Sequence, residues 1–371
     1  MTEKGMKPGD LSFKGKRVLV VGGAGFVGSN LVKAILDQDP QRILIIDNLL
    51  SSEQFNIPDS PHVEFIKGSI TDDGMLLGIK DDLDYVFHLA TFHGNQNSIY
   101  DPLADHENNT LTTLKLFERI KQFQQIKKVV YSSAGCTVAE KTFSEAHATT
   151  EEDPVSLWLD SPYQISKIIG EFYSNYYFSR FKLPVVKARF QNVYGPGEIL
   201  GAGEWRGTIA TVWRNVIPTF IYRAIKQMPL VVENEGKATR DFIYVSDIVN
   251  GLMLCALKGV TGEVYNLASG IESSILDLAK MINQLSHNLT PIEIGPRREW
   301  DHSGKRYGYT EKAEMSLGFK AVTGLQNGLQ ITLAWTLENL HTIEATIQKH
   351  VNAHPEIAPA IDPKIRLSEK P

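Results

Sequence analysis

The chain has 371 residues, 42% of them hydrophobic and 22% charged, with a formal net charge of -5. This is an ordinary globular composition, long enough for one large domain or two. Lys and Arg total 38 against 43 Asp and Glu, with no long basic run. That excludes the concentrated positive charge a nucleic-acid binder needs, so an anionic ligand must be met by a few placed arginines and backbone N–H groups. Cys136 and Cys255 are far apart and show no metal-ligand spacing, so neither a disulfide scaffold nor a metal site is expected. "MTEKGMKPGDLSFKG" lacks a signal-peptide core, and no apolar run is long enough for a bilayer. The expectation is a cytoplasmic protein with no membrane partner.

In chain order, strands are predicted at 17–21, 42–47, 63–68, 84–90, 127–133 and 184–190. Amphipathic stretches lie between them. In Thr110–Phe123, for example, Leu111, Leu114, Phe117 and Ile120 recur at helical spacing. Strand alternating with helix implies a doubly wound parallel sheet, the Rossmann type of α/β fold. After Asn192 the rhythm breaks into "YGPGEILGAGEWRGTIATVW", a long loop leading to a helix. "TRDFIYVSDIVNGLMLCAL" then returns as strand and helix, and "GEVYNLAS" as a further strand. The predicted organisation is a sheet domain over 15–191 plus 241–270 and an interleaved, smaller α/β cap over 192–240 plus 271–348. Residues 1–14 and 349–371 are expected to be tails, the latter extended because of its prolines.

The run "VLVVGGAGFVGSN" carries Gly22, Gly25 and Gly28 as GxxGxxG directly after the first strand. A dinucleotide site needs a tight turn there, close approach of backbone to pyrophosphate, and a helix packed closely on its strand. The helix expected from Phe26 would aim free N–H groups and a positive dipole end at the phosphates. Asp47 ends the second strand about 20 residues later, where a carboxylate accepts from both ribose hydroxyls. No Arg follows it in "DNLLSS", which favours NAD over NADP.

"SPYQISKIIGE" places Tyr163 and Lys167 at i,i+4 on one helix face. An ammonium near a phenol lowers the phenol's pKa, so Tyr163 is the candidate base and Lys167 its partner and a hold on the nicotinamide ribose.

With these residues in view, the chain resembles the extended short-chain dehydrogenase/reductase family, specifically its nucleotide-sugar epimerases and dehydratases. The matching stretches are "GGAGFVGSNL", "DNLLSS", "VFHLA", "ENNT", "SPYQISK", "ARFQNVYGPG", "ATRDFIYVSDI", "VYNLASG" and "LGF", in family order over about residues 15–345. The resemblance implies that Gly22, Gly25, Phe26 and Val27 cradle the NAD pyrophosphate. Asp47 and Asn48 would take the adenosine ribose, and Ser69 and Ile70 would flank the adenine. Leu89, Ala90 and Thr91 would line the cofactor, with Tyr163, Lys167 and Phe190 at the nicotinamide end. Asn192, Arg240 and Arg298 match positions that hold the diphosphate of a nucleoside-diphosphate sugar. A homodimer through helices near 103–124 and 161–181 is also implied.

Some positions depart from the family pattern. Where relatives place Ser or Thr after the fifth strand, this chain has Ala134, and Ser133 is the expected stand-in. The dehydratases' adjacent Asp-Glu pair is replaced by Gly135 and Cys136. Cys136 aligns with the acid/base cysteine of GDP-mannose 3,5-epimerases, and Arg206 in "GEWRG" stands where that branch has a lysine. Cys136 is thus either an acid/base group or a small buried apolar residue. His93 is either a substrate contact or a plain loop histidine. The expected activity is NAD-dependent epimerisation of a nucleoside-diphosphate sugar at C4. The alternatives are a 3,5-epimerase using Cys136, or an NAD-binding regulator with lapsed catalysis.

Overall fold

The computed structural model describes residues 12–139, 142–302 and 304–362. Seven strands form one parallel sheet: β1 (Arg17–Val21), β2 (Arg42–Asp47), β3 (Val63–Lys67), β4 (Tyr85–His88), β5 (Lys128–Ala134), β6 (Val185–Phe190) and β7 (Val264–Leu267). Their order across the sheet is β3-β2-β1-β4-β5-β6-β7, the doubly wound arrangement. The order reverses between β1 and β4, and ligands bind in the crevice that such a reversal opens.

Because neighbouring side chains on a strand point to opposite faces, each strand feeds two cores. Val18 and Val20 join Phe87, Val130 and Val186 under the helices Phe26–Leu36 and Val245–Lys258. Leu19 and Val21 join Val86, Val129 and Val185 under Leu116, Phe117, Ile120 and Tyr177. Burying each such side chain contributes about 1.5–3 kcal/mol relative to exposure.

The predicted helix over Thr110–Phe123 is shorter and less regular than expected. A π-helical turn covers His106–Leu111 and the α-helix covers Thr112–Ile120. The widened turn exists where Asn109 sits buried and bonded on several sides. Such bulges gather at functional sites.

The helix Pro162–Phe181 is started by Ser161, whose side chain accepts from the Gln164 N–H, and by Pro162 at its first position. Gly170 lets it lie directly on β5, since a Cβ there would stand 2.0 Å from the Tyr131 hydroxyl oxygen. That hydroxyl donates to the Lys167 carbonyl at 3.2 Å, fixing the turn that carries the lysine. Further along, Glu171 and Arg189 form a buried bidentate ion pair at 2.8 Å.

Beyond β6 the chain leaves the sheet. A strap over residues 196–215 contains one short 3-10 turn, Ile209–Thr211, and leads into the helix Val216–Ile225. With the helices Ile275–Ser286 and Leu325–Glu338 and a small parallel pair, Leu230–Val232 with Ile292–Ile294, this material roofs one end of the sheet.

The expected tail after 348 is corrected as far as it is described. A helix covers Leu340–Ala353, a 3-10 turn follows, and a last short helix covers Ala358–Ile361. Pro355 and Pro359 occupy first-turn positions that helices tolerate. Ile357 and Ile361 bury themselves with Ile199, Leu200, Ile343 and Ile347 in a third core. At the front, Phe13, also placed in a tail, is fully buried in the first core. The remainder of both predicted tails lies outside the described residues.

Candidate active site

A cavity of about 590 Å³ runs along the carboxyl ends of β1, β2, β4, β5 and β6 and continues into the roof. Gly22 turns the chain at its inner end with φ +87°, and a Cβ there would meet the Ala90 nitrogen at 2.5 Å. A Cβ on Gly28 would meet the Gly22 oxygen at 2.2 Å. Only glycine fits either place. Gly25, Phe26 and Val27 line the cavity where the helix Phe26–Leu36 begins, and the first N–H groups of a helix have no intrahelical partner.

Asp47 accepts the N–H groups of Ala24 at 3.0 Å and Leu49 at 2.9 Å and the Ser52 hydroxyl at 3.0 Å. Burial raises its pKa above the usual carboxylate value while those bonds oppose the shift. The Gly25 N–H also bonds it, so these contacts fix the carboxylate at the strand end beside the cavity. Asn48, Ser69, Ile70, Leu89, Ala90, Thr91 and Phe190 complete this stretch of the wall. A turn free of Cβ atoms, a helix start and an acceptor at the neighbouring strand end together fit a dinucleotide.

Tyr163 and Lys167 both line the cavity. The Lys167 Nζ lies 5.8 Å from the Tyr163 ring centre and donates to the Ser132 carbonyl at 3.0 Å. Burial lowers its pKa to about 8, against the pull of Asp105 and Cys136. The expected lowering of the tyrosine is not what the ligand-free chain shows. Burial, then Cys136 and Asp105, push the Tyr163 phenol well above its ordinary value, and Lys167 is not among the causes. The Tyr163 hydroxyl is in hydrogen-bond contact with Thr91. Thr91 donates to Asn109 at 3.0 Å, and Asn109 donates to the buried Asp105 at 2.7 Å. Neither Asn109 nor Asp105 was predicted. "ENNT" marked the stretch, but only the π-helical turn shows which asparagine faces inward.

Cys136 lines the cavity and acts electrostatically on Tyr163, Lys167 and Arg240, so it sits among the three. Ser133 does not replace the hydroxyl missing at Ala134. It lines the wall, but its hydroxyl donates to Glu171 at 2.5 Å, because the Glu171–Arg189 pair lies on that side of β5.

In the roof, Arg240 donates to the Thr239 and Gly304 carbonyls at 2.7 Å and to Asp301 at 3.0 Å. Asn234 donates to the same Asp301 oxygen at 3.1 Å. Arg298 pairs with Glu233, and its backbone N–H donates to Asn234. Arg306 joins them in the lining and is close enough to oppose the charge on Arg240, whose pKa falls to about 10, chiefly through burial. Three arginines around one carboxylate make a site for a multiply charged anion. Arg306 was missed because nothing in its local sequence sets it apart.

Asn192 and His93 line the space between these regions. His93 faces the Tyr163 ring edge-on at 6.2 Å and bonds Asn215 at 3.3 Å. Burial, with Arg214 and Arg206 nearby, drops its pKa to about 3, so it is neutral. Arg206 was expected at the substrate, but its side chain does not line the cavity. It is buried behind the wall, bonded to Ser51 and facing the Phe92 ring at 6.0 Å. The guanidinium that does reach the cavity from this segment is Arg214, with Glu198 and Asn215 beside it.

The family model described as "NAD dependent epimerase/dehydratase family" matches residues 18–268. The Bordetella bronchiseptica enzyme WbmF, solved with NAD+ and UDP, is 58% identical, with a TM-score of 0.84 over 92% of this chain and 98% of that one. UDP-glucose 4-epimerase from Thermotoga maritima, solved with UDP-glucose, is 27% identical, with a TM-score of 0.79 over 87% and 99%. The dTDP-D-glucose 4,6-dehydratase of Mus musculus is 26% identical over 91% of this chain and 93% of its own. Glycine turn, ribose acceptor, Tyr-Lys helix and family match agree over the same residues, and the chain belongs to the NAD-dependent epimerase/dehydratase family of nucleotide-sugar enzymes, with NAD as its cofactor.

Proposed function

We propose that the chain epimerises a nucleoside-diphosphate sugar at C4. NAD, when bound, supplies a hydride acceptor and donor. Gly22, Gly25, Phe26 and Val27 hold its pyrophosphate, Asp47 and Asn48 its adenosine ribose, Ser69 and Ile70 its adenine. Leu89, Ala90, Thr91 and Phe190 shape its path, and Lys167 holds the nicotinamide ribose. Arg240, Arg298 and Arg306 grip the sugar nucleotide's diphosphate, with Asn192 beside it. Tyr163 takes the proton from the 4-hydroxyl as the carbon is oxidised and gives it back after the 4-keto sugar has turned over.

The observation that carries this reading is the wall around Tyr163, which Cys136 lines and where Gly135 and Cys136 stand in place of the acid pair that elimination of water requires. Incubation with UDP-, GDP-, CDP- and dTDP-sugars tests it. A C4 isomer is expected from at least one of them. A 4-keto-6-deoxy product, or no isomer from any sugar with NAD bound, overturns it.

A second reading rests on Cys136, placed among Tyr163, Lys167 and Arg240: proton exchange at C3 or C5 of the oxidised sugar. Deuterium from heavy water then enters product carbon, whereas C4 inversion alone incorporates none. We further infer a homodimer, supported by the exposed Ile165, Phe172 and Tyr176 on the Tyr-Lys helix and Ile99, Tyr100 and Leu103 beside it. Light scattering giving a monomer mass would remove it.

A further inference from the structure

The strap over 196–215 is tied in turn to the segments that end β1, β2 and β4. At its start, the Pro196 carbonyl accepts from Asn30 Nδ2 at 3.1 Å, and Gly197 is so near that a Cβ would stand 3.7 Å from the Phe26 ring. Both neighbours belong to the first turns after the glycine loop. In its middle, the Gly203 N–H donates to Glu53 at 3.0 Å and the Glu204 N–H to the Leu50 carbonyl at 3.0 Å, while Arg206 donates to Ser51. At its end, Thr208 donates to Asn97 at 2.6 Å and Asn215 meets His93. These three attachments trace the crevice along which a dinucleotide lies.

The charges it carries lack an anion. Arg206 is 5% exposed, and its Nε and Nη2 have no hydrogen-bond partner among the described residues. Arg214 lines the cavity, and its guanidinium makes no hydrogen bond or ion pair among the described residues. The nearest acids do not neutralise the pair. Glu53 is spoken for by Lys349, and burial lifts the Glu198 pKa to about 7. A buried guanidinium, Arg206, and a half-buried one, Arg214, that oppose each other's charge are costly unless an anion is meant to join them.

We propose that Arg214, backed by Arg206, grips the NAD pyrophosphate from the roof side, making the 196–215 strap a clasp over the cofactor. Arg214 meets the pyrophosphate from the cavity wall, with the charge of Arg206 behind it, and the helix start at Phe26 meets it from the floor. The sugar nucleotide's diphosphate is served separately by Arg240, Arg298 and Arg306. The clasp therefore governs retention of NAD between turnovers.

The test uses the full chain. Bound NAD is counted in the purified protein, and NAD and UDP affinities are measured by calorimetry for the wild type, Arg214→Gln, Arg214→Lys and Arg206→Met. The expected result is a tenfold or greater loss of NAD affinity in Arg214→Gln, partial recovery in Arg214→Lys, a loss in the same direction in Arg206→Met, and UDP affinity within twofold throughout. The midpoint of thermal unfolding without NAD should not fall in Arg214→Gln, because a repelling charge has gone. NAD affinity within twofold of wild type overturns the proposal, and so does a loss confined to UDP, which would assign the arginine to the substrate. Should Arg214→Gln fail to fold, Arg206→Met decides alone by the same two affinities.

Discussion

Along the floor of the cavity the surface is mostly main chain: the glycine turn, the first turn of a helix, and the strand ends carrying Asp47, Ala90 and Phe190. Across from it the roof is built of long charged side chains, Arg214 and Glu198 on the strap and Arg240, Arg298 and Arg306 around Asp301. The floor holds its shape through sheet hydrogen bonds that cannot be rearranged without unfolding the sheet. The roof's charged face is set by ion pairs such as Arg240–Asp301 and Arg298–Glu233, whose balance changes whenever an anion enters or leaves. One wall is preformed, and the other is completed by what it binds.

The sharpest way to break this contrast is at the seam. Tyr163→Phe is expected to lower turnover by about 10²–10⁴-fold, the usual worth of a positioned acid/base group, with NAD content unchanged by absorbance. Lost NAD would show that the tyrosine belongs to the cofactor wall instead. Next in size is Asp301→Ala, which strips three arginines of their shared carboxylate. Breaking a buried pair costs about 3–5 kcal/mol, seen in urea unfolding, and added UDP should restore part of it. On the floor, Gly22→Ala forces a Cβ into the Ala90 backbone at a positive φ. A cost of about 1–3 kcal/mol is expected from the backbone strain, and ligand should not rescue it.

A smaller effect concerns pH. Glu198 in the folded, ligand-free chain titrates near 7 instead of 4.5 because it is buried. Between those values the folded state holds the extra proton, so stability falls as pH rises, by at most about 1.4 kcal/mol per pH unit, and levels off above the folded value. Glu198→Gln should remove that slope from unfolding curves taken across the interval. The smallest change in turnover, within threefold, is expected from Ser133→Ala, at about 1.5–3 kcal/mol of stability for one hydrogen bond to a charged group. A large loss of turnover would return the serine to the chemistry.

The same division explains what the sequence makes legible. β1, β2 and β6 lie within a residue of where alternation and punctuation place them, and the turn over Gly22–Gly28 and the pair Tyr163–Lys167 gain their meaning from spacing together with their place after the first and fifth strands. These features are local, so a short window contains their cause. Arg214, Glu198 and Arg306 are not marked in this way. Each becomes significant only through partners brought near by the chain's path, as Arg214 does through Glu198, Glu53 and His93. Ser133 misled because strand alternation sends its hydroxyl to Glu171, a partner 38 residues away. The prolines after 353 suggested extension, yet Ile357 and Ile361, four apart, bury themselves on the third core.

That third core ties the end of the chain to the clasp. Thr346 donates to the Leu200 carbonyl at 2.8 Å, His350 bonds the Gly201 carbonyl at 2.8 Å, and the Trp205 ring stacks on His354 at 4.5 Å. A protease nick or a bulky fusion in the helix Leu340–Ala353 would leave the parallel sheet standing while loosening the buckle that this helix fastens. The first symptom of such damage would be a leaking coenzyme, well before any loss of fold.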